Sequence, residues 1–81
     1  MKVICEIPHP SCKITLYGWN GKYIIKMEKG LLEQTYKVSE MDVASEDEVK
    51  DMLSDSFMEK VMIRFEDMGR DFELALESVE D

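Results

Sequence analysis

The residues best suited to chemistry lie close together near the start of the chain: the two cysteines, Cys5 and Cys12, and between them the single histidine, His9. Two thiols and an imidazole suit a soft ion such as zinc, which takes four protein ligands, or three and a water. The set Cys5-x3-His9-x2-Cys12 is one ligand short of a structural site, and its spacing matches no finger pattern. The same residues can be read as a thiol nucleophile beside an imidazole base. That chemistry requires an exposed thiolate, a base within hydrogen-bond reach and a third group that orients the base. His9 is flanked by Pro8 and Pro10 rather than by an aspartate or asparagine. The alternation described below turns both thiols toward a core, where a free cysteine acts as a small hydrophobe. A thiol or metal site around His9 is therefore the least favoured reading, and no catalytic residue, metal ligand or cofactor is assigned.

Carboxylates are the other reactive groups in quantity, and they are unevenly placed. Residues 1–40 carry six lysines and four acids, a balance of +2, whereas residues 41–81 carry four basic residues and fourteen acids, a balance of -10, summing to the net charge of -8. Paired carboxylates perform acid–base work when burial separates their pKa values. Here they fall on the polar side of a helical period with Lys50, Lys60, Arg64 and Arg70 among them, the pattern of a solvated face. No DxDxDG loop is present for calcium. Gly18, Gly21, Gly30 and Gly69 are scattered rather than grouped into a phosphate-cradling loop. An enzyme is not expected.

Composition narrows the class further. The 81 residues suffice for one small domain spanning 1–81, with a modest core. Apolar residues make up 44% of the chain and charged residues 35%, which excludes collagen-like and disordered classes. No apolar run approaches the length of a membrane span, and the opening segment meets Glu6 and Pro8 too soon for a signal peptide. Two cysteines are too few for the disulfide framework of a small secreted domain. These features together predict a cytoplasmic protein, with no membrane partner and no evident small-molecule substrate.

The elements that position these residues follow from turn chemistry and periodicity. Strand-like runs cover 2–7, 12–19, 22–28 and 31–38. Asn20-Gly21 between two such runs is the strongest short hairpin signal, because both central residues of a type I′ turn take positive φ. This turn sets Trp19 opposite Lys22, Tyr17 opposite Ile24 and Leu16 opposite Ile25. Centring the next turn on Lys29-Gly30 sets Met27 opposite Leu32, Ile25 opposite Gln34 and Tyr23 opposite Tyr36. Closing the Pro8–Ser11 loop tightly sets Ile7 opposite Cys12, Cys5 opposite Ile14 and Val3 opposite Leu16. All three turns place Val3, Cys5, Ile7, Cys12, Ile14, Leu16, Ile25 and Met27 on one face, and a one-residue slip would spoil it.

The second half is helical. Ser45 with Glu48 and Ser56 with Glu59 read as capping boxes, and Phe57, Val61, Phe65, Met68, Phe72, Leu76 and Val79 recur at three and four residues. Helices are expected over 46–54 and 57–79, with Gly69 the place where the second would kink or end. The fold class is two-layer α+β: a four-stranded antiparallel meander followed by helices packed on one face.

Two surfaces remain for function. The outer sheet face should display Ile4, Tyr17, Trp19 and Ile24 among lysines. A helix over 57–79 is about 34 Å long at ~1.5 Å per residue, against strands of about 20–23 Å at ~3.3 Å per residue. Its end, with Phe72, Leu74, Leu76 and Val79, therefore overhangs the sheet, unless the chain folds back at Gly69. These features predict a non-enzymatic protein-interaction or assembly module that self-associates as a homodimer or docks a protein partner. Tyr17, Trp19, Ile24, Phe72, Leu74, Leu76 and Val79 form its candidate surface. The alternative is single-stranded nucleic acid stacked on the lysine and aromatic face, although four strands followed by helices is not the βαββαβ order of the RNA-recognition fold.

Overall fold

In the computed structural model, which describes residues 1–80, strands β1 (Lys2–Ile7), β2 (Lys13–Trp19), β3 (Lys22–Lys29) and β4 (Leu32–Ser39) form one antiparallel sheet in the order β1-β2-β3-β4. Helices α1 (Glu46–Asp51) and α2 (Asp55–Glu77) follow and pack on one face. Asn20 and Gly21 take φ of 52° and 74°, the pair of positive values that a type I′ turn demands. The β2–β3 register follows as expected, from Lys13 opposite Glu28 to Trp19 opposite Lys22.

The other two registers differ from the sequence reading by two residues each. Lys29 pairs with Leu32, so Gly30-Leu31 rather than Lys29-Gly30 occupies the turn. Of these two only Gly30 has positive φ, at 60°, and a type II′ turn takes its glycine at the first central position. Met27 therefore meets Gln34, and Ile25 meets Tyr36. In the first hairpin Ile7 meets Ile14 and Cys5 meets Leu16, leaving Cys12 in the loop. The prolines at 8 and 10 donate no ladder hydrogen bonds, and the loop between the strands runs to Cys12. A shift of two preserves which face a side chain joins, so the inner row survives with new partners.

One step is odd-numbered. The β1–β2 register shifts between Val3 and Cys5, putting Val3 opposite Tyr17. Alternation reverses there: Val3, expected in the core, is 58% exposed, while Ile4, expected outside, packs against the core. Gly18 permits the exchange, since a Cβ at that position would stand 3.3 Å from Ile4 Cδ1. Ile4 fills the space that the missing side chain leaves.

Both helices begin on serine caps. Ser45 Oγ accepts from the Glu48 N–H at 3.4 Å, and Ser54 Oγ from the Phe57 N–H at 3.2 Å. Ser54, not Ser56, therefore caps α2, and the helix starts two residues earlier than expected. Its carbonyl also accepts from Met58 N–H at 2.8 Å. Helix α1 ends at Asp51 rather than at 54, after burying Val49 completely. Helix α2 passes through Gly69 without interruption, which removes the fold-back alternative.

The core joins Ile14, Leu16, Ile25 and Met27 of the sheet to Val49 of α1 and Met58, Val61 and Phe65 of α2. Each such side chain stabilises the fold by about 1.5–3 kcal/mol on full burial. Buried Gln34 donates from Nε2 to the Val61 carbonyl at 2.9 Å and ties β4 to the helix. The layers are offset along their length. The longest dimension is 51 Å and the radius of gyration 14.8 Å, against about 12 Å for a compact chain of this length. The helix overruns the sheet.

The caps supply a test. Replacing Ser54 by alanine should lower stability by about 0.5–2 kcal/mol, whereas Ser56→Ala should change it by less than about 0.5 kcal/mol. Urea denaturation of both variants checks this, and the reverse order would restore Ser56 as the cap.

Candidate functional site

The β1–β2 loop gathers the thiol and imidazole, and its hydrogen bonds show how they are used. Ser11 N–H donates to His9 Nδ1 at 3.1 Å, and Cys12 Sγ lies 3.8 Å from the same nitrogen. Accepting from a backbone N–H requires Nδ1 to carry no proton, so the nearby thiol is placed to donate to it as well. Burial pushes the Cys12 thiol above its ordinary value, with Lys29 opposing weakly. Such a thiol is protonated near neutral pH, whereas a nucleophile or metal ligand must be a thiolate. Cys5 packs against the core from β1. Among the described residues no three His, Cys, Asp or Glu side chains come together as a metal-holding group. The arrangement ties a proline-bounded loop together, and burial holds the Cys12 thiol toward its protonated form.

On the outer sheet face, strand register and pleat bring Tyr17, Trp19 and Ile24 together, as β2 and β3 place Tyr17 opposite Ile24. Trp19 is 51% exposed, and Tyr17 is half-buried. Ile24 is only 4% exposed, so it does not display itself as the sequence reading has it. It forms the floor of a groove of about 250 Å³ walled by Met1, Tyr17 and Trp19, with Lys26 and Lys37 at its rim. Lys26 Nζ lies 3.5 Å from Glu33 Oε1, and Thr35 Oγ1 donates to Glu33 Oε2 at 3.0 Å. Glu33, and then Glu28, raise the Lys26 pKa, so its ammonium is held charged. Lys22 and Lys37 are exposed and make no ion pair among the described residues.

The second assembly of side chains is on α2. Met58, Phe65 and Phe72 succeed each other every seven residues, which keeps them on one line of the helix with a drift of about 20° per step, but α2 ends at Glu77 rather than at 79, so Val79 lies beyond it. Met58 and Phe65 are buried on the sheet, while Phe72 continues the line into solvent and Val79 is exposed past the helix end. The helix leaves the sheet beside Leu32, which Gly69 faces. From Arg70 to Glu80 every residue is exposed, including Leu74 and Leu76. Leu31, in the II′ turn, adds an apolar side chain that is 90% exposed at the same end. The sequence reading did not single it out, because the turn was centred one residue too early.

No family model, curated protein or solved structure matches the chain. The functional reading accordingly rests on the geometry of its own surfaces. No helix among the described residues is long and apolar enough to cross a membrane.

The state of Cys12 is directly measurable. Because burial raises its pKa, alkylation by iodoacetamide should be slow near neutral pH and rise with a midpoint above that of an ordinary thiol, about 8.5. Peptide-resolved labelling across pH checks this. Rapid modification of Cys12 at neutral pH would identify a thiolate and reopen the nucleophile reading.

Proposed function

We propose that this protein is a non-catalytic assembly module that associates with itself through the free half of α2. The observation that carries the reading is the exposure of every residue from Arg70 to Glu77 on a helix whose apolar line continues from the core to Phe72. A helix end without tertiary contacts is marginally stable in water, and solvating Phe72, Leu76 and Val79 forgoes about 25 cal/mol for each Å² of apolar surface left exposed. The whole chain exposes 5791 Å², whereas a compact monomer of 9.4 kDa exposes about 5,000 Å². The excess of roughly 800 Å² measures how far the protruding helix takes the chain from a compact shape.

Sedimentation equilibrium of the wild type beside Phe72→Glu and Leu76→Glu tests this. The wild type should be dimeric at tens of micromolar, and either substitution should shift it toward monomer while the sheet and the seated part of α2 keep a cooperative urea unfolding transition. A monomeric wild type at that concentration would refute the reading.

One observation favours a second reading. Trp19 is half-exposed beside the unpaired Lys22 and Lys37, a platform on which a base can stack. The surrounding charge weakens it, since Lys13 pairs with Glu6 at 3.7 Å and Lys26 with Glu33, and the net charge is -8. Titration with a single-stranded RNA at low salt, followed by Trp19 fluorescence, should leave the emission unchanged at micromolar concentration. Quenching that disappears as salt rises would establish the nucleic-acid reading.

A further inference from the structure

We infer that the free half of α2 docks not against its counterpart but onto the outer sheet face of a second copy, seating apolar side chains in the groove over Ile24. The inference rests on the self-association proposed above and names the surface that receives the helix.

Charge selects the receiver. Residues 70–80 carry Arg70 against Asp71, Glu73, Glu77 and Glu80, a balance of -3. Two such segments side by side would bring -6 together over a short length, and like charges opposed across an interface are unfavourable. The groove and its margin carry Lys22, Lys26 and Lys37 against Glu33, a balance of +2. An acidic helix meets opposite charge there.

Size points the same way. From Gly69 to Glu77 the free helix is about 12 Å long and about 10 Å across. Two stubs of that size paired with each other cover far less than the roughly 800 Å² per partner of a standard interface. A stub laid on a sheet face recruits both surfaces from each chain. The groove, at about 250 Å³, falls below the range of about 300–1,000 Å³ for small-molecule sites and suits one or two inserted side chains such as Phe72 or Leu76. Its floor is Ile24, its walls are Met1, Tyr17 and Trp19, and its rim sets Lys26 and Lys37 against Glu33, which complements a helix bearing phenylalanine and leucine among glutamates. Exchanged reciprocally, the two contacts close a two-fold pair.

The contact joins two different patches, so mixing variants tests it. One variant carries Phe72→Glu and Leu76→Glu; the other carries Lys22→Glu and Lys37→Glu, both exposed positions. Each alone should be monomeric at concentrations where the wild type associates, and an equimolar mixture should form a 1:1 pair that is weaker than the wild type, since it keeps one of the two contacts, between the intact groove of one variant and the intact helix of the other. Wild-type association should weaken at least tenfold as salt rises from about 50 to about 500 mM, because screening removes an attraction. Recovery on mixing would itself show that both variants are folded. Should the lysine variant self-associate like the wild type and mixing rescue nothing, the helices pair with each other: the inference falls and self-association stands. Association that strengthens with salt would overturn it in the same way. A wild type that stays monomeric would defeat both.

Discussion

The contact of Met58, Val61 and Phe65 with the inner row of Leu16, Ile25 and Met27 is the interaction on which the rest of this structure depends. It seats α2 by the first part of its length, and the Gln34 amide on the Val61 carbonyl fixes the helix against β4 at that level. A hydrophobic line spaced every seven residues does not stop where the sheet stops. Once Phe65 is buried, the geometry of the helix obliges Phe72 to emerge on the same side, beyond the sheet. The elongated shape, the surplus accessible surface and the acidic free helix are consequences of that single seating.

The sequence discloses this arrangement unequally, and the reasons are local. Asn20-Gly21 determined its register because both residues must take positive φ, which leaves one way to place them. Gly30 was ambiguous, since a glycine in a two-residue turn can hold either central position, and the choice moves every partner by two. Even shifts leave the inner face intact, so the fold class and most of the core could be read without the right pairs. The bulge near Ile4 could not, because it depends on Gly18 lying across from β1, a fact available only once the register is known. Ser54 and Ser56 both offer a hydroxyl before the helical period, and only the backbone shows which one receives the Phe57 N–H.

The candidate surfaces were legible to differing degrees for related reasons. Period alone identified the overhang, because it needs only the length of α2 against the length of the strands. The continuity of the helix through Gly69 was not decided by propensity, as the glycine penalty is about 1 kcal/mol and a seated helix of this length absorbs it. Alternation assigned Ile24 to the outer face correctly but could not show that neighbouring side chains cover it, since parity gives direction and not depth. The Cys5, His9 and Cys12 group drew attention by residue type. Its thiols pack against the core and its imidazole nitrogen accepts a backbone hydrogen bond.

In the proposed self-association the outer half of α2, exposed along its whole length in the single chain, is held by a second copy. Amide hydrogen exchange resolved along α2, at rising protein concentration, measures that support residue by residue. Amides from Met58 to Met68 should be protected at every concentration, while those from Arg70 to Glu77 should exchange rapidly in dilute solution and slow as the protein associates. Equal protection along the whole helix at the lowest concentration, or a C-terminal half that never becomes protected, would contradict self-association through this segment.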